Sequence, residues 1–265
     1  SEMCIRDRYI RSWNVIDMGG KIRFNVAKFG AKVDSQVSKF GFGSGNNLPG
    51  YVFYKIAGKE ALKDLAHEMS IGPILITGTN GKTTTTTLLI KLLSADTKIR
   101  KSFESNTIHA ITTSILKGDG DLGVFEYGIR NKSYGIPDTV QRLIDPVGVV
   151  YTTISREHSQ VAGVKNPFEE YVDAKSLLSQ GMTRGVVISN ADDPVTANIA
   201  CNKRNDLHVN FYGLAIDSIN DIFESDSPNC PRCGKKLEYS QKFLNHRGIY
   251  LSLIHISEPT RHWAI

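Results

Sequence analysis

The sequence is poor in the features that would take it out of the ordinary globular classes. Four cysteines in 265 residues are too few for the disulfide framework of a secreted domain. No apolar run approaches the roughly 18 residues needed to cross a bilayer, so no membrane span is expected. No secretory signal is visible, which makes the cytoplasm the expected compartment. Nor is charge of one sign concentrated: the formal net charge is +5 with dispersed lysines and arginines, which suits a phosphate-rich ligand without arguing for nucleic acid. There is no internal repeat, and the run Thr83 to Thr87 reads as helix onset, not low complexity. What remains is a chain 40% hydrophobic and 22% charged, long enough for one large or two modest domains.

Both ends are set aside. Ser1 to Arg8, SEMCIRDR, and residues from Ser252 onward, SLIHISEPTR, resemble translated sequencing-adapter read-through. Cys4, His255 and His262 therefore take no part in site arguments, as for a fusion scar. The expectation is a natural protein that continues past Tyr250.

The organising stretch is Ile74 to Thr87, ILITGTNGKTTTTT. Ile74 to Ile76 read as a buried strand, and Gly78 and Gly81 allow a tight turn with close backbone approach to an anion. Lys82 supplies a positive charge for phosphate oxygens, the Thr83 hydroxyl is placed to ligate Mg²⁺, and the helix that follows offers unpaired N–H donors. The spacing departs from the common P-loop: Ile76 occupies the usual first-glycine position, and Gly78 lies three residues before Gly81.

Around this loop, strand and helix signals alternate from Ile71 to Gly213. Helices are expected at 84–94, 167–179 and 194–202, and strands at 122–127, 147–154, 185–190 and 208–212. That order predicts an α/β fold with a mostly parallel sheet covered by helices, and ligands at the carboxyl ends of its strands. Upstream, residues 9–39 read as one or two amphipathic helices, 40–50 as a Gly/Ser/Asn-rich connection ending in a Pro-Gly turn, and 58–69 as a helix. The expected layout is a lead-in over 9–70, a phosphate-loop α/β domain over 71–223 and a segment carrying the C-x-x-C over 224–251.

The strand-end rule gathers scattered polar residues. Glu126 ends LGVFEY, where a carboxylate can hold Mg²⁺, although a lone glutamate there is more often a solvated edge charge. His158, in ISREHSQ, follows another strand and could ligate a metal or lie in a surface loop. Lys175 sits on FEEYVDAKSLL, and residue physics alone would read it as a solvated stem. Asn190, Asp192 and Asp193 end a further strand, either as a nucleotide-contacting loop or as an Asp cap before Pro194. Cys230-Pro-Arg-Cys233-Gly supplies two ligands of the four that a structural zinc site requires.

GTNGKTTT (78–85), Glu126, TTISREH (152–158), Ala174-Lys175 and NADDP (190–194) occur in the order and spacing of the Mur ligase family central domain, which this chain resembles. Within the family it is similar to the MurT-like branch that amidates lipid II and to the pseudomurein peptide ligases of methanogens. NNLPGYVFYKIAGKEALKDLA (46–66) resembles the lead-in of that branch, and NCPRCGKKLEYSQKFLNHRGIY (229–250) its zinc-ribbon insertion. FEYGIRN, replacing the Glu-x-Asp-Glu pattern of the bacterial proteins, leans toward the archaeal side. Lys-Thr-Thr after Gly81 argues against folate metabolism.

The resemblance implies an ATP-dependent carboxylate-amine ligase of peptidoglycan or pseudomurein precursor synthesis, acting through an acyl phosphate. It assigns the ATP phosphates to Lys82 with Gly78, Thr79, Asn80, Gly81 and Thr84, and further nucleotide contacts to Asn190 and Asp192. Thr83 and Glu126 would hold one Mg²⁺ and His158 a second, with Glu157 at the family's usual acidic position beside it. Lys175 aligns with a lysine that many members carbamylate into a metal ligand. Cys230 and Cys233 would bind zinc in the intact protein; His246 could substitute for a missing ligand, but packing or hydrogen bonding within the ribbon is the expected role. The implied partners are a cell-wall precursor peptide and a GatD-type glutaminase subunit. A C-terminal ligase domain is expected beyond this sequence, so the span itself is expected to be inactive. The competing class is a P-loop regulatory or binding protein whose zinc ribbon contacts nucleic acid or a partner.

Overall fold

The computed structural model describes residues 20–30, 47–159, 165–202, 207–214, 229–242 and 247–251. The adapter-like ends, residues 9–19 and 31–46 of the expected lead-in, and residues 224–228 and 243–246 of the expected ribbon, His246 among them, lie outside these residues.

Six parallel strands form the central sheet, in the order β2-β3-β1-β4-β5-β6. They are β1 (Gly72–Thr77), β2 (Ile99–Ser105), β3 (Leu122–Tyr127), β4 (Gly148–Tyr151), β5 (Val186–Asn190) and β6 (His208–Tyr212). Successive side chains point to opposite faces, and the register sorts them into two cores. Leu75 lies opposite Phe125 and Val149, and Val149 opposite Val187. These four join the larger cluster. Ile76, Val124 and Val150 alternate with them and face the smaller one.

Helices cover both faces. Residues 20–30 form α1, followed by α2 (Leu48–Ala57), α3 (Ala61–Ala66) and α5 (Ile108–Lys117). With α7 (Pro137–Ile144), α8 (Pro167–Gln180) and α9 (Pro194–Cys201), they supply Phe53, Leu62, Ile111, Leu143, Leu178 and Ile199 to the larger core. On the other face α4 (Lys82–Leu93) packs Ile90, with Leu89 and Leu93, against Ile76 and Val124. A single turn, α6 (Lys132–Gly135), precedes α7. A separate antiparallel hairpin, β7 (Glu238–Lys242) and β8 (Gly248–Leu251), follows.

Two differences from the sequence reading have physical causes. Pro49-Gly50 is not a turn: Pro49 is the second residue of α2, a first-turn position where its missing N–H costs nothing. Gly50 is buried, its N–H donates to Thr113 Oγ1 at 2.8 Å, and a Cβ there would meet His109 O at 2.0 Å. Second, β2, α5 and α7 fill stretches with no expected element. IRKSFES is a polar edge strand without clear alternation, and IHAITTSILK is rich in β-branched residues that disfavour helix until packing overrides them.

Strand order fixes where a ligand can sit. The connection leaving β1 runs toward β2 and β3, whereas β4 starts the opposite half of the sheet. Between the carboxyl ends of β1 and β4 the chain diverges and leaves a crevice.

Candidate active site

The loop from Gly78 to Gly81 lies in that crevice, seated on the segment after β4. Thr79 N–H donates to Thr153 O at 2.5 Å, and Thr152 Oγ1 donates to Asn80 O at 2.7 Å. Thr79 Oγ1 accepts from Ser155 N–H at 3.0 Å and lies 3.0 Å from the Tyr171 hydroxyl. Gly78 is needed because Thr152 is so close: a Cβ there would fall 2.0 Å from Thr152 Oγ1. Gly81 has φ +83 and caps α4 without a side-chain hydrogen bond, so the first-turn N–H groups of α4 meet no capping oxygen. Thr84 is exposed on that first turn.

Three polar side chains converge beside this helix start. Lys82 Nζ donates to Thr79 O at 2.8 Å, and burial lowers its pKa while the Glu126 carboxylate counteracts this. Thr83 Oγ1 donates to Glu126 Oε2 at 2.8 Å. Glu126 is buried at the end of β3. A hydroxyl and a carboxylate oxygen next to an uncapped helix start form a hard-oxygen donor set of the kind Mg²⁺ takes alongside phosphates. Ser155 Oγ, buried next to Thr79, has no hydrogen-bond partner, so the cradle retains unspent polar capacity.

Lys175 is fully buried, contrary to a solvated stem. Its Nζ donates to Gly78 O at 3.1 Å and Ile129 O at 3.2 Å, and it lies 4.4 Å from the Tyr171 ring centroid. Burial, reinforced by the nearby Lys82 charge, holds its pKa well below the usual lysine range. A neutral amine has two N–H groups, matching its two carbonyl acceptors. It thereby ties α8 to the loop. Tyr171 stands one turn earlier on α8, a spacing that FEEYVDAK displays without disclosing what the pair reaches.

His158 ends a short 3-10 turn, Arg156–His158, after β4. The ligand role expected of its side chain lies outside the described part of the structure. Glu157 accepts from Asn80 Nδ2 at 2.9 Å, pinning the exposed side of the loop.

NADDP divides by role. Asp193 caps α9, accepting from Val195 N–H at 2.9 Å and Thr196 N–H at 3.4 Å, and its other oxygen accepts Ile154 N–H at 2.7 Å. Asn190 Oδ1 accepts from Asp192 N–H at 3.0 Å, and Asp192 Oδ2 from Leu214 N–H at 2.7 Å. Asn190 and Asp192 line a cleft of about 270 Å³ that also touches Asn80, Gly81, Thr85 and Tyr212. Sequence reading missed Thr85, Thr152, Thr153, Tyr212 and Arg247 as cleft residues. The first three lay inside the phosphate-loop and TTISREH motifs, and Arg247 lay inside the 229–250 segment, which was read only for its candidate zinc ligands.

In the segment expected to form a zinc ribbon, Cys230 O accepts from Gly234 N–H at 2.8 Å, and Cys230 N–H donates to Lys235 O at 2.7 Å. This tight turn brings the two cysteines into one small cluster with Leu237, Tyr239 and Tyr250. Among the described residues no group of three or more His, Cys, Asp or Glu side chains is arranged to hold a metal.

A parallel sheet whose switch point carries a glycine loop, an uncapped helix start and a Lys-Thr-Glu trio defines a P-loop α/β domain. More narrowly, the chain belongs to the Mur ligase family: the Mur ligase middle domain matches residues 76–250. The MurT subunit of lipid II isoglutaminyl synthase (glutamine-hydrolyzing) from Staphylococcus aureus strain N315 is 27% identical over 213 residues, 78% of this chain and 46% of that protein. UDP-N-acetylmuramoyl-tripeptide--D-alanyl-D-alanine ligase from Bacillus subtilis strain 168 is 30% identical over 146 residues, 52% of this chain and 31% of that protein. The chain thus spans less than half the length of these curated relatives. Among solved structures, a pseudomurein peptide ligase type C from Methanothermus fervidus superposes with TM-score 0.58 at 27% identity, covering 75% of this chain and 38% of the other. MurF from Acinetobacter baumannii, at TM-score 0.51 and 19% identity over 64% of this chain and 35% of its own, shares the fold.

Proposed function

We propose that this chain is the ATP-binding core of a ligase that joins a carboxylate to an amine in cell-wall precursor synthesis. The observation that carries the reading is the Thr83 hydroxyl 2.8 Å from the Glu126 carboxylate, with Lys82 beside them at an uncapped helix start. Backbone N–H groups of Gly78, Asn80 and Gly81 and of the start of α4 bind the phosphates, while Thr79, whose N–H is held by Thr153 O, shapes the loop with Asn80 and Thr84. Asn190 and Asp192 receive the nucleoside end. Thr83 and Glu126 would hold Mg²⁺, and His158 a second ion; magnesium bound there would supply positive charge to the phosphate groups. Lys82 stabilises the charge that develops as the γ-phosphoryl passes to a substrate carboxylate oxygen and the bond to ADP breaks. The amine nitrogen then attacks the carbonyl carbon of the acyl phosphate, phosphate leaves with the C–O electrons, and the amide nitrogen gives up a proton.

The relatives' names support a wall-precursor peptide as the carboxylate substrate, of peptidoglycan or pseudomurein type. The MurT relative is named as a subunit of a glutamine-hydrolyzing synthase. That supports ammonia as the amine, delivered by a GatD-type glutaminase partner, with the reaction in the cytoplasm. No helix among the described residues is long and apolar enough to cross a membrane. Burial pushes Lys175 toward the neutral amine from which a carbamate is made, but its two carbonyl partners would repel that anion. Carbamylation therefore requires Nζ to leave Gly78 O and Ile129 O. Zinc on Cys230 and Cys233 belongs to the same reading.

The test is ADP formation in the protein at the length of its relatives, with wall peptide, amine and ATP. Turnover that requires both peptide and amine is expected. Nucleotide binding without acceptor-dependent turnover overturns the ligase in favour of a P-loop regulatory protein.

A further inference from the structure

The β7–β8 hairpin, which has a small cluster of its own, is attached at the cleft lined by Asn190 and Asp192. Gly248 N–H, at the start of β8, donates to Asp192 O at 2.9 Å. On the hairpin's other side Arg232 donates to Asn198 Oδ1 at 3.2 Å and Asn202 Oδ1 at 3.0 Å, gripping α9 and its end. These ties fix the residue before Gly248, Arg247, as part of the cleft wall that also includes Gly81 and Thr85.

The cleft has two ends of different chemistry. At Asn80, Gly81 and Thr85 it meets the glycine loop and the α4 start, the anion end. At Asp192, Tyr212, Gly213 and Leu214 it is flanked by an aromatic ring, a leucine and a backbone run that approaches Asp192 so closely that a Cβ on Gly213 would meet Asp192 Oδ1 at 2.7 Å. The floor there is fixed by the Tyr212 hydroxyl, which donates to Tyr151 O at 3.2 Å. Burial raises the Tyr212 pKa, Asp193 and Asp192 add to this, and Arg247 opposes it, so the guanidinium charge is felt within this end of the cleft.

Resting on the nucleotide reading of this cleft, we propose that Arg247 is a nucleotide-binding residue that lays its guanidinium against the base and ribose, making the hairpin one wall of the nucleoside pocket. The Gly248 tie to Asp192 sets Arg247 at the nucleoside end, and a planar, weakly hydrated guanidinium stacks on a flat heteroaromatic ring in a way an ammonium does not. Phosphate affinity then comes from the loop and α4, and selection of a nucleotide over bare polyphosphate from the hairpin.

Competition against a fluorescent ATP analogue, in Mg²⁺, with ATP or inorganic tripolyphosphate as competitor, separates these contributions. R247A, R247M and R247K are each expected to weaken ATP by about tenfold and leave tripolyphosphate unchanged. Unchanged tripolyphosphate binding also reports that the variants fold, and R247M keeps the apolar stem. ATP affinity equal to wild type, a matching loss for tripolyphosphate, or full recovery by R247K overturns the proposal. A wild-type chain that binds tripolyphosphate and ATP equally overturns the hairpin's role alone, whereas one that binds neither overturns the nucleotide reading itself.

Discussion

The Thr83 hydroxyl donates to the Glu126 carboxylate across 2.8 Å, linking the first turn of α4 to the end of β3. The two residues are 43 apart in sequence, and only the parallel pairing of β1 with β3 brings them together. Both oxygens are hard donors, so replacing the carboxylate should be felt chiefly when magnesium is present. E126Q is expected to weaken ATP binding by about tenfold or more in Mg²⁺ and to leave binding in chelator nearly unchanged. Calorimetric titration in the two buffers checks this; an equal effect in both would mean Glu126 is only a structural acceptor for Thr83.

Lys82 is held half-buried with its ammonium on Thr79 O, and burial already disfavours its charge. A cation kept there at a cost is expected to serve an incoming anion. K82M should therefore weaken ATP by roughly a hundredfold, from loss of one close charge pair at intermediate dielectric, while its thermal midpoint stays at or above the wild-type value. A large fall in midpoint with intact binding would reverse that assignment.

Much of this was legible in the sequence where local chemistry and tertiary role coincide. Strands 122–127 and 208–212 stand as read, because each is bounded by turn residues and enriched in β-formers. Asp193 before Pro194 reads as a cap in any context, and it is one. Where packing decides, the sequence was silent. Lys175 looks like any helix lysine until the fold closes Tyr171, Gly78 and Ile129 around it. Arg247 has no local signal, since its place depends on a hairpin docking onto a loop more than fifty residues earlier.

The buried Lys175 makes stability depend on pH in a definite direction. Its folded pKa lies below the unfolded value of about 10.4. Between the two values the unfolded chain binds the extra proton, so stability rises with pH and levels off once both states are neutral. Below the folded pKa both states are protonated and the penalty is constant. Urea denaturation between neutrality and about pH 9.5, below the tyrosine range, should show a rising stability in the wild type and a shallower rise in K175M. K175M will be less stable overall, having lost two hydrogen bonds to loop carbonyls. Identical slopes would show that Lys175 stays charged in the fold.

Gly78 and Gly81 frame the same loop but are constrained differently. A Cβ on Gly78 would fall 2.0 Å from Thr152 Oγ1 and near the backbone of Thr153, whereas one on Gly81 would meet nothing nearer than 3.7 Å. G81A is expected to cost about 1 kcal/mol, from its left-handed backbone alone. G78A must push the loop off Thr152 and Thr153 and should cost roughly 2 kcal/mol or more, with ATP affinity falling in parallel. Denaturation midpoints of the two variants give the order directly, and equal losses would count against the docking of the loop on the segment after β4.

Asp193 joins two elements through one carboxylate. One oxygen caps α9 through Val195 and Thr196, and the other accepts Ile154 N–H, so α9 and the segment beneath the phosphate loop share one buried carboxylate. Removing it leaves buried N–H donors on two elements without their acceptor, beyond the loss of an ordinary cap. D193A is expected to destabilise by about 3 kcal/mol, and D193N by less, because its single amide oxygen can serve only one of the two sites. Asp192, whose carboxylate receives Leu214 N–H and which lines the cleft, should show the opposite emphasis. D192A should lose ATP affinity with a smaller stability change. If D193A proves no more destabilising than D192A, the capping residue and the cleft residue have been assigned the wrong way round.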